Sequence, residues 1–205
     1  MTALGPALLS AVVWIGTAQV DLMIWEPGGE HPYTTDFELE YREAERTPIQ
    51  GPRGTLLGHR VRLVPQRIVT RVRHEVRGLL NCKSAGQESI TVGRDARLVV
   101  PVPGKEVLDE AGSRVPAPGV YQIVLPRAVG AFACGSKRNA GNRQVIVGSG
   151  LFHPEGDIDA ADRESRLLQD AGARMRGSYS FSDAFRRQAV RHDYKVTWDL
   201  RRQER

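Results

Sequence analysis

The sequence predicts a mainly β protein, an antiparallel β-sandwich or barrel with one or two short helices near the C-terminus. Three observations carry that reading. Apolar and polar residues alternate at every second position through many short runs, the period of a strand with one buried face. Clusters of Pro and Gly punctuate the runs, and the chain holds 12 Pro and 21 Gly. Helical spacing is confined to a stretch near the C-terminal end. At 205 residues, 40% hydrophobic and 26% charged, the chain suits one globular domain with a true core.

Taken in order, the first twenty residues carry no charge, and Asp21 is the first ionisable side chain. Three readings compete here. A secretory signal would use ALLSAVVWIG as its apolar stretch and Gly16-Thr17-Ala18 as a cleavage site, although no Lys or Arg precedes it. A membrane anchor needs about 20 predominantly apolar residues, and Thr17 and Gln19 interrupt them. A retained structural segment is supported by AQVDLMIW (18–25), where Val20, Leu22 and Ile24 share one face. Export ranks first and places the protein outside the cytoplasm, secreted or periplasmic; otherwise it is intracellular or virion-associated. The division that follows is an apolar segment at 1–18 and a single β-rich domain at 19–205, with a helical insert at about 157–192.

EPGGEHPYTT (26–35) reads as a turn-rich connection, and DFELEYRE (36–43) as a strand with Phe37, Leu39 and Tyr41 on one face. Pro48, Pro52, Gly51, Gly54 and Gly58 make 44–58 a loop. In HRVRLVPQRIVTRVRHEVRG (59–78), Pro65 breaks the strand because it lacks the N–H a central ladder needs. Beyond it Ile68, Thr70, Val72, His74 and Val76 share a face, with Arg71, Arg73, Glu75 and Arg77 opposite.

A strand follows around Leu98 to Val102, and GKEVLDEAGSRVPAPG reads as a hairpin or long turn. Pro116 and Pro118 fix φ and remove ladder donors, so the strand VYQIVLP begins in a defined register with Tyr121, Ile123 and Leu125 on one face. AVGAFACG (128–135) and RQVIVGSGLF (143–152) add strands on either side of the basic loop GSKRNAGNR. Asp157, Asp159, Asp162 and Glu164 then mark the start of a helix that Gly177 ends. SDAFRRQAVRH (182–192) reads as a second, short helix capped by Ser182. DYKVTWDLRR (193–202) closes the chain as a strand with Tyr194, Val196, Trp198 and Leu200 aligned.

The chemistry-bearing residues form no recognised motif. The acidic group at 157–164 lacks the alternate spacing, central Gly and position-twelve Glu of a calcium loop, which leaves helix capping. His31, His59, His74, His153 and His192 include no local metal-binding pair. Gly148-Ser149-Gly150 lacks the spacing of a nucleophile elbow. No nucleotide loop is present, and no cofactor is implied. Cys82 and Cys134 have no CxxC or Cys/His cluster beside them; they form one disulfide in an oxidising compartment, or stay as two buried thiols in the cytosol.

The net charge is +5, and of 29 basic residues only four are Lys. Two places concentrate Arg. A stripe of Arg60, Arg62, Arg71, Arg73 and Arg77 is the candidate partner-facing surface, since Arg is enriched at interface hot spots. Lys137, Arg138 and Arg143 in the glycine-containing loop are candidate anion contacts. Together these features describe a non-enzymatic structural, assembly or protein-interaction module, exported or part of a larger assembly such as a surface or virion structure. Its partner is another protein or a second copy, and a membrane only if the N-terminal segment is an anchor. Two alternatives stand: an exported hydrolase whose site assembles only in three dimensions, and an Arg-rich nucleic-acid binder.

Overall fold

The computed structural model describes residues 11–26, 29–76, 81–84, 88–91, 93–108, 111–126, 128–135, 140–147, 167–185 and 190–205. The described chain is dominated by antiparallel strands. β1 (Val12–Glu26) and β2 (Gly29–Gln50) form a long hairpin in which Glu26 faces Gly29. β3 (Leu56–Val76) runs back along β2, joined to it by a single 3-10 turn at Pro52–Gly54. The predicted connection at 26–35 and loop at 44–58 are therefore mostly strand, with the reversals compressed into a few residues at each tip. Paired ladders satisfy backbone groups that a long loop would leave to water.

Pro65 does not end β3. Glu40 pairs with Arg67 and Tyr41 with Pro65, so Gln66 is an extra residue and the site is a β-bulge. On its other side β3 pairs with β6 (Ala96–Pro101) only through Gly58–Leu63, and with β5 (Glu88–Ile90) only from Val69 onward. Pro65 thus occupies the interval between two neighbours, where no ladder asks for its missing N–H. Farther along, Glu75 and Val76 pair with β4 (Asn81–Ser84).

β7 (Glu106–Leu108) and β8 (Arg114–Pro116) pair with each other as a separate two-stranded sheet, which matches the predicted hairpin. β9 (Val120–Gln122) lies on β6. Only three residues of the predicted strand are ladder-paired, yet Tyr121, Ile123 and Leu125 are all buried as the alternation required. β10 (Ala128–Gly135) and β11 (Ala140–Val147) form a hairpin beside β4.

The predicted helices are the main correction. β12 (Leu168–Gln169), a 3-10 turn at Asp170–Gly172, β13 (Arg174–Phe185) and β14 (Val190–Glu204) occupy the stretch read as helical. No α-helix occurs among the described residues. The start of the first predicted helix, including Asp157, Asp159, Asp162 and Glu164, lies outside the described residues, as do His153 and Gly148-Ser149-Gly150. The reason for the rest is visible in the sequence. Arg174, Arg176, Ser178 and Ser180 alternate with Met175, Gly177 and Tyr179, and burial follows that period of two.

β14 returns to pair with β1 along fourteen positions, from Val12 opposite Glu204 to Trp25 opposite Arg191. The sheet curls until it nearly closes into a barrel through β1, β2, β3, β6, β9, β12, β13 and β14. The gap between β9 and β12 is spanned by a bridge of Val120 with Leu167, and by the Leu168 N–H donating to the Gly119 carbonyl at 2.8 Å. Near-closure of this kind covers much of the edge that the β9 and β12 ends of the sheet would otherwise present.

One continuous core fills the interior. Trp14, Val20 and Leu22 from β1 meet Phe37, Leu39 and Tyr41 from β2, with Ile68 and Val72 from β3 and Val196, Trp198 and Leu200 from β14. Trp198 Nε1–H donates to the Tyr121 hydroxyl at 2.7 Å inside this core, tying β14 to the β9 side of the barrel. Val12 to Ala18 of the apolar N-terminal segment are thus part of a central strand, with Trp14 only 1% exposed.

Candidate functional site

Side chains pack the described interior of the barrel, and its outer face and the elements that project from it are the described surfaces open to a partner. Strand alternation sets the outer face. Odd positions of β1 and β14 and even positions of β2 and β13 point outward, opposite the core residues. The register aligns them in rows across five strands. Arg176, Asp199, Thr17 and Glu38 form one row, and Ser178, Thr197, Gln19, Asp36 and Arg71 the next. An open groove of about 930 Å³ runs over these rows, bordered by Arg71 and Arg176 and by Asp36, Glu38 and Asp199.

Acidic and basic groups on this face neutralise one another. Arg73 donates to Asp36 through Nε at 3.0 Å and a second guanidinium nitrogen at 2.7 Å. Arg71 pairs with Glu88 on β5, and Arg67 lies 3.7 Å from Glu38. Arg62 stands 3.8 Å from Glu45 and 3.6 Å from Asp95. Arg174 grips both oxygens of Asp199, with Nε at 2.9 Å, and the bond from Arg174 holds the Asp199 carboxyl below the usual carboxylate range.

At the far end of the sheet Asp193 accepts from three side chains. Arg191 donates at 2.9 and 2.6 Å, the Ser182 hydroxyl at 2.8 Å and Trp25 Nε1–H at 2.7 Å. The Arg191 hydrogen bond is the largest cause holding the Asp193 carboxyl down to about 2, with Ser182 and Trp25 adding to it against a partly opposing burial. The Arg191 guanidinium also sits 5.8 Å from the Trp25 ring centre. Between the two ends Asp21 accepts from Gln19 at 2.9 and 3.0 Å and from Thr34 at 3.0 Å.

Of the predicted stripe, Arg60, Arg62, Arg71 and Arg73 do share the outer face of β3, and Arg77 lies outside the described residues. Arg62, Arg71 and Arg73 each face a carboxylate. The face is therefore of mixed sign, unlike the unopposed basic stripe that tracks a phosphate backbone. It is equally unlike the apolar outer band of a membrane barrel. No helix among the described residues is long and apolar enough to cross a membrane.

The predicted basic loop is shorter than expected. β11 starts at Ala140, so Arg143 is a strand residue opposite Phe132, while Lys137 and Arg138 lie outside the described residues. Cys82 and Cys134 are direct partners across the β4–β10 ladder. The side chains of His31 and His74 are outside the described residues, and no group of three or more His, Cys, Asp or Glu converges among the described ones.

The element sequence reasoning undervalued is the β7–β8 arm. Val107 is 41% exposed and Leu108 68%, so both faces of β7 are open. The foot of the arm is fixed where the Val102 N–H donates to the Leu57 carbonyl and the Ala117 N–H to that of Lys105. Leu56, also exposed, adjoins that foot. The available signal was Glu106-Val107-Leu108, two large apolar residues in succession within an otherwise polar turn. The Asp193 cluster was missed because its four members are drawn from three strands, and alternation reports a face but not a neighbour.

No protein-family model, curated protein or solved structure matches this chain.

Proposed function

We propose that this protein is a non-enzymatic β-rich module that acts by contact, as a structural or assembly component, with the β7–β8 arm as its contact element. The observation that carries the reading is the arm's isolation. Among the described residues, two three-residue strands pair only with each other, and they expose Val107 and Leu108. A lone two-stranded hairpin is marginal in water and gains stability by seating its apolar side chains on another surface. The packed core of the described barrel supports the same reading, since it gives the arm a rigid mount.

The test begins with self-association. Sedimentation velocity of the full chain at tens of micromolar, with cross-linking to locate the contact, should show a concentration-dependent oligomer joined through residues 104–118. Val107→Asp with Leu108→Asp should abolish it while leaving the far-ultraviolet circular dichroism unchanged. A protein that stays monomeric, or whose association survives the double substitution, removes the arm from its assigned role. A steep fall in DNA affinity with rising salt would instead assign the chain to nucleic acid.

A further inference from the structure

We infer that Cys82 and Cys134 are the two halves of a cross-strand disulfide that clamps β10 to β4. The inference rests on backbone register and is independent of the arm. Cys134 faces Cys82 directly in the antiparallel β10–β4 ladder, which runs from Phe132 opposite Ser84 to Gly135 opposite Asn81. Directly opposed residues in such a ladder have Cα atoms about 4.5–5.5 Å apart and lie on one face of the sheet. A disulfide requires a Cα separation of about 4.4–6.8 Å, so the register meets that condition without backbone movement. Two cysteines in one chain, 52 positions apart, meet at a single rung.

The rung also explains what the bond would do. Val76, Cys82, Cys134 and Gly141 follow one another across β3, β4, β10 and β11. β4 is only four residues long and is the strand that joins the β10–β11 hairpin to β3. A covalent link at this rung ties the hairpin to β4 through a ladder of only four rungs. Gly141 flanks Cys134 and brings no side chain of its own to crowd the bond.

The oxidant is a disulfide donor, either a small-molecule disulfide or a protein oxidoreductase. One cysteine thiolate attacks the donor's S–S bond, forming a mixed disulfide and releasing the first donor thiol. The second cysteine thiolate then displaces the other donor half, so that the Cys82–Cys134 S–S bond forms and the donor departs as two thiols. The protein loses two protons and two electrons, which the donor takes up.

The experiment treats the reduced full chain with oxidised glutathione and measures intact mass and cysteine-containing peptides. The expected result is a product lighter by two hydrogens, with one peptide pair joined through Cys82 and Cys134, formed at a rate independent of protein concentration. Cys82→Ser and Cys134→Ser should each take up one glutathione instead. The melting temperature of the oxidised protein should fall by several degrees on reduction, while that of the double serine variant stays fixed. Glutathione on both cysteines of the wild type, two free thiols after treatment, or a melting temperature indifferent to reduction would each overturn the clamp.

Discussion

At the residue scale, two buried tyrosines with the same ring and the same location in the core have opposite standing. The Tyr121 hydroxyl accepts from Trp198 Nε1–H, and burial pushes its phenol up to about 12. The Tyr41 hydroxyl is fully buried with no hydrogen-bond partner among the described residues, and burial raises its pKa. A buried polar group without a partner costs about 1–3 kcal/mol, whereas removing one half of a buried bond strands the other half. Tyr41→Phe is therefore expected to raise stability by about 1 kcal/mol, and Tyr121→Phe to lower it by about 1–3 kcal/mol. Urea unfolding of both variants checks the difference in sign; two losses of equal size would refute it. Gly16 is decided by space. It sits opposite Leu200 on β14 and Leu39 on β2, and a methyl group there would collide with the Asp199 carbonyl oxygen. Gly16→Ala must push β14 away from β1, at a cost of about 1–3 kcal/mol. The same denaturation series measures it, and an unchanged midpoint would mean the strands part freely.

At the scale of elements, most strand faces were legible because alternation is a local property. Phe37, Leu39 and Tyr41, then Tyr194, Val196, Trp198 and Leu200, are buried as their spacing required. The failures came where a helix signal and a strand signal overlapped. Acidic residues ahead of Leu168 and Ser182 ahead of an apolar residue resemble helix starts, but such caps also suit turns. Across 174–182 the period of two was present, and it gained two ordered neighbours, β12 and β14, that a helix could not have used. Pro65 misled for a related reason. Its missing N–H matters only where a neighbour asks for it, and neighbours are not written locally. β1 shows the same dependence. Residues 12–18 pair with β2 and β14 on both sides, a neighbour relation that spacing alone does not report. A chain beginning at Gln19 loses half of a central strand together with Trp14 and Ala18. It is expected to lack the near-ultraviolet dichroism of packed tryptophans and to be cleaved rapidly by protease. Native-like resistance in that truncation would show that the barrel closes without this half-strand.

At the scale of the whole molecule, the closing contacts are those the sequence showed least. β1 pairs with β14 across nearly the full chain length, and a bridge at Val120 and Leu167 spans the last gap. Alternation says that each strand has an inside but not which strand lies beside it, so sandwich and barrel were indistinguishable until the pairing was seen. The ionised outer rows follow the same logic, because Asp193 acquires Arg191, Ser182 and Trp25 only once β1, β13 and β14 lie side by side. Exposed pairs such as Arg73 with Asp36 each contribute about 0–1 kcal/mol, so most of this face adds little to stability. Asp193 differs in joining three strands at one end of the barrel. Its carboxyl falls from an ordinary 3.8 to about 2 in the folded protein. The folded state therefore binds fewer protons there than the unfolded state between these values. The stabilisation is fully present above about pH 4 and is lost progressively as pH falls toward about 2. Asp193→Asn removes this titration while keeping an oxygen to accept from Trp25 or Ser182. The variant should be less stable than the wild type at neutral pH, and the gap between them should shrink through that window. Unfolding free energies measured from pH 6 down to pH 2 at fixed ionic strength read the gap directly. A difference that stays constant through the acid range would show that Asp193 holds the strands by shape alone, without its charge.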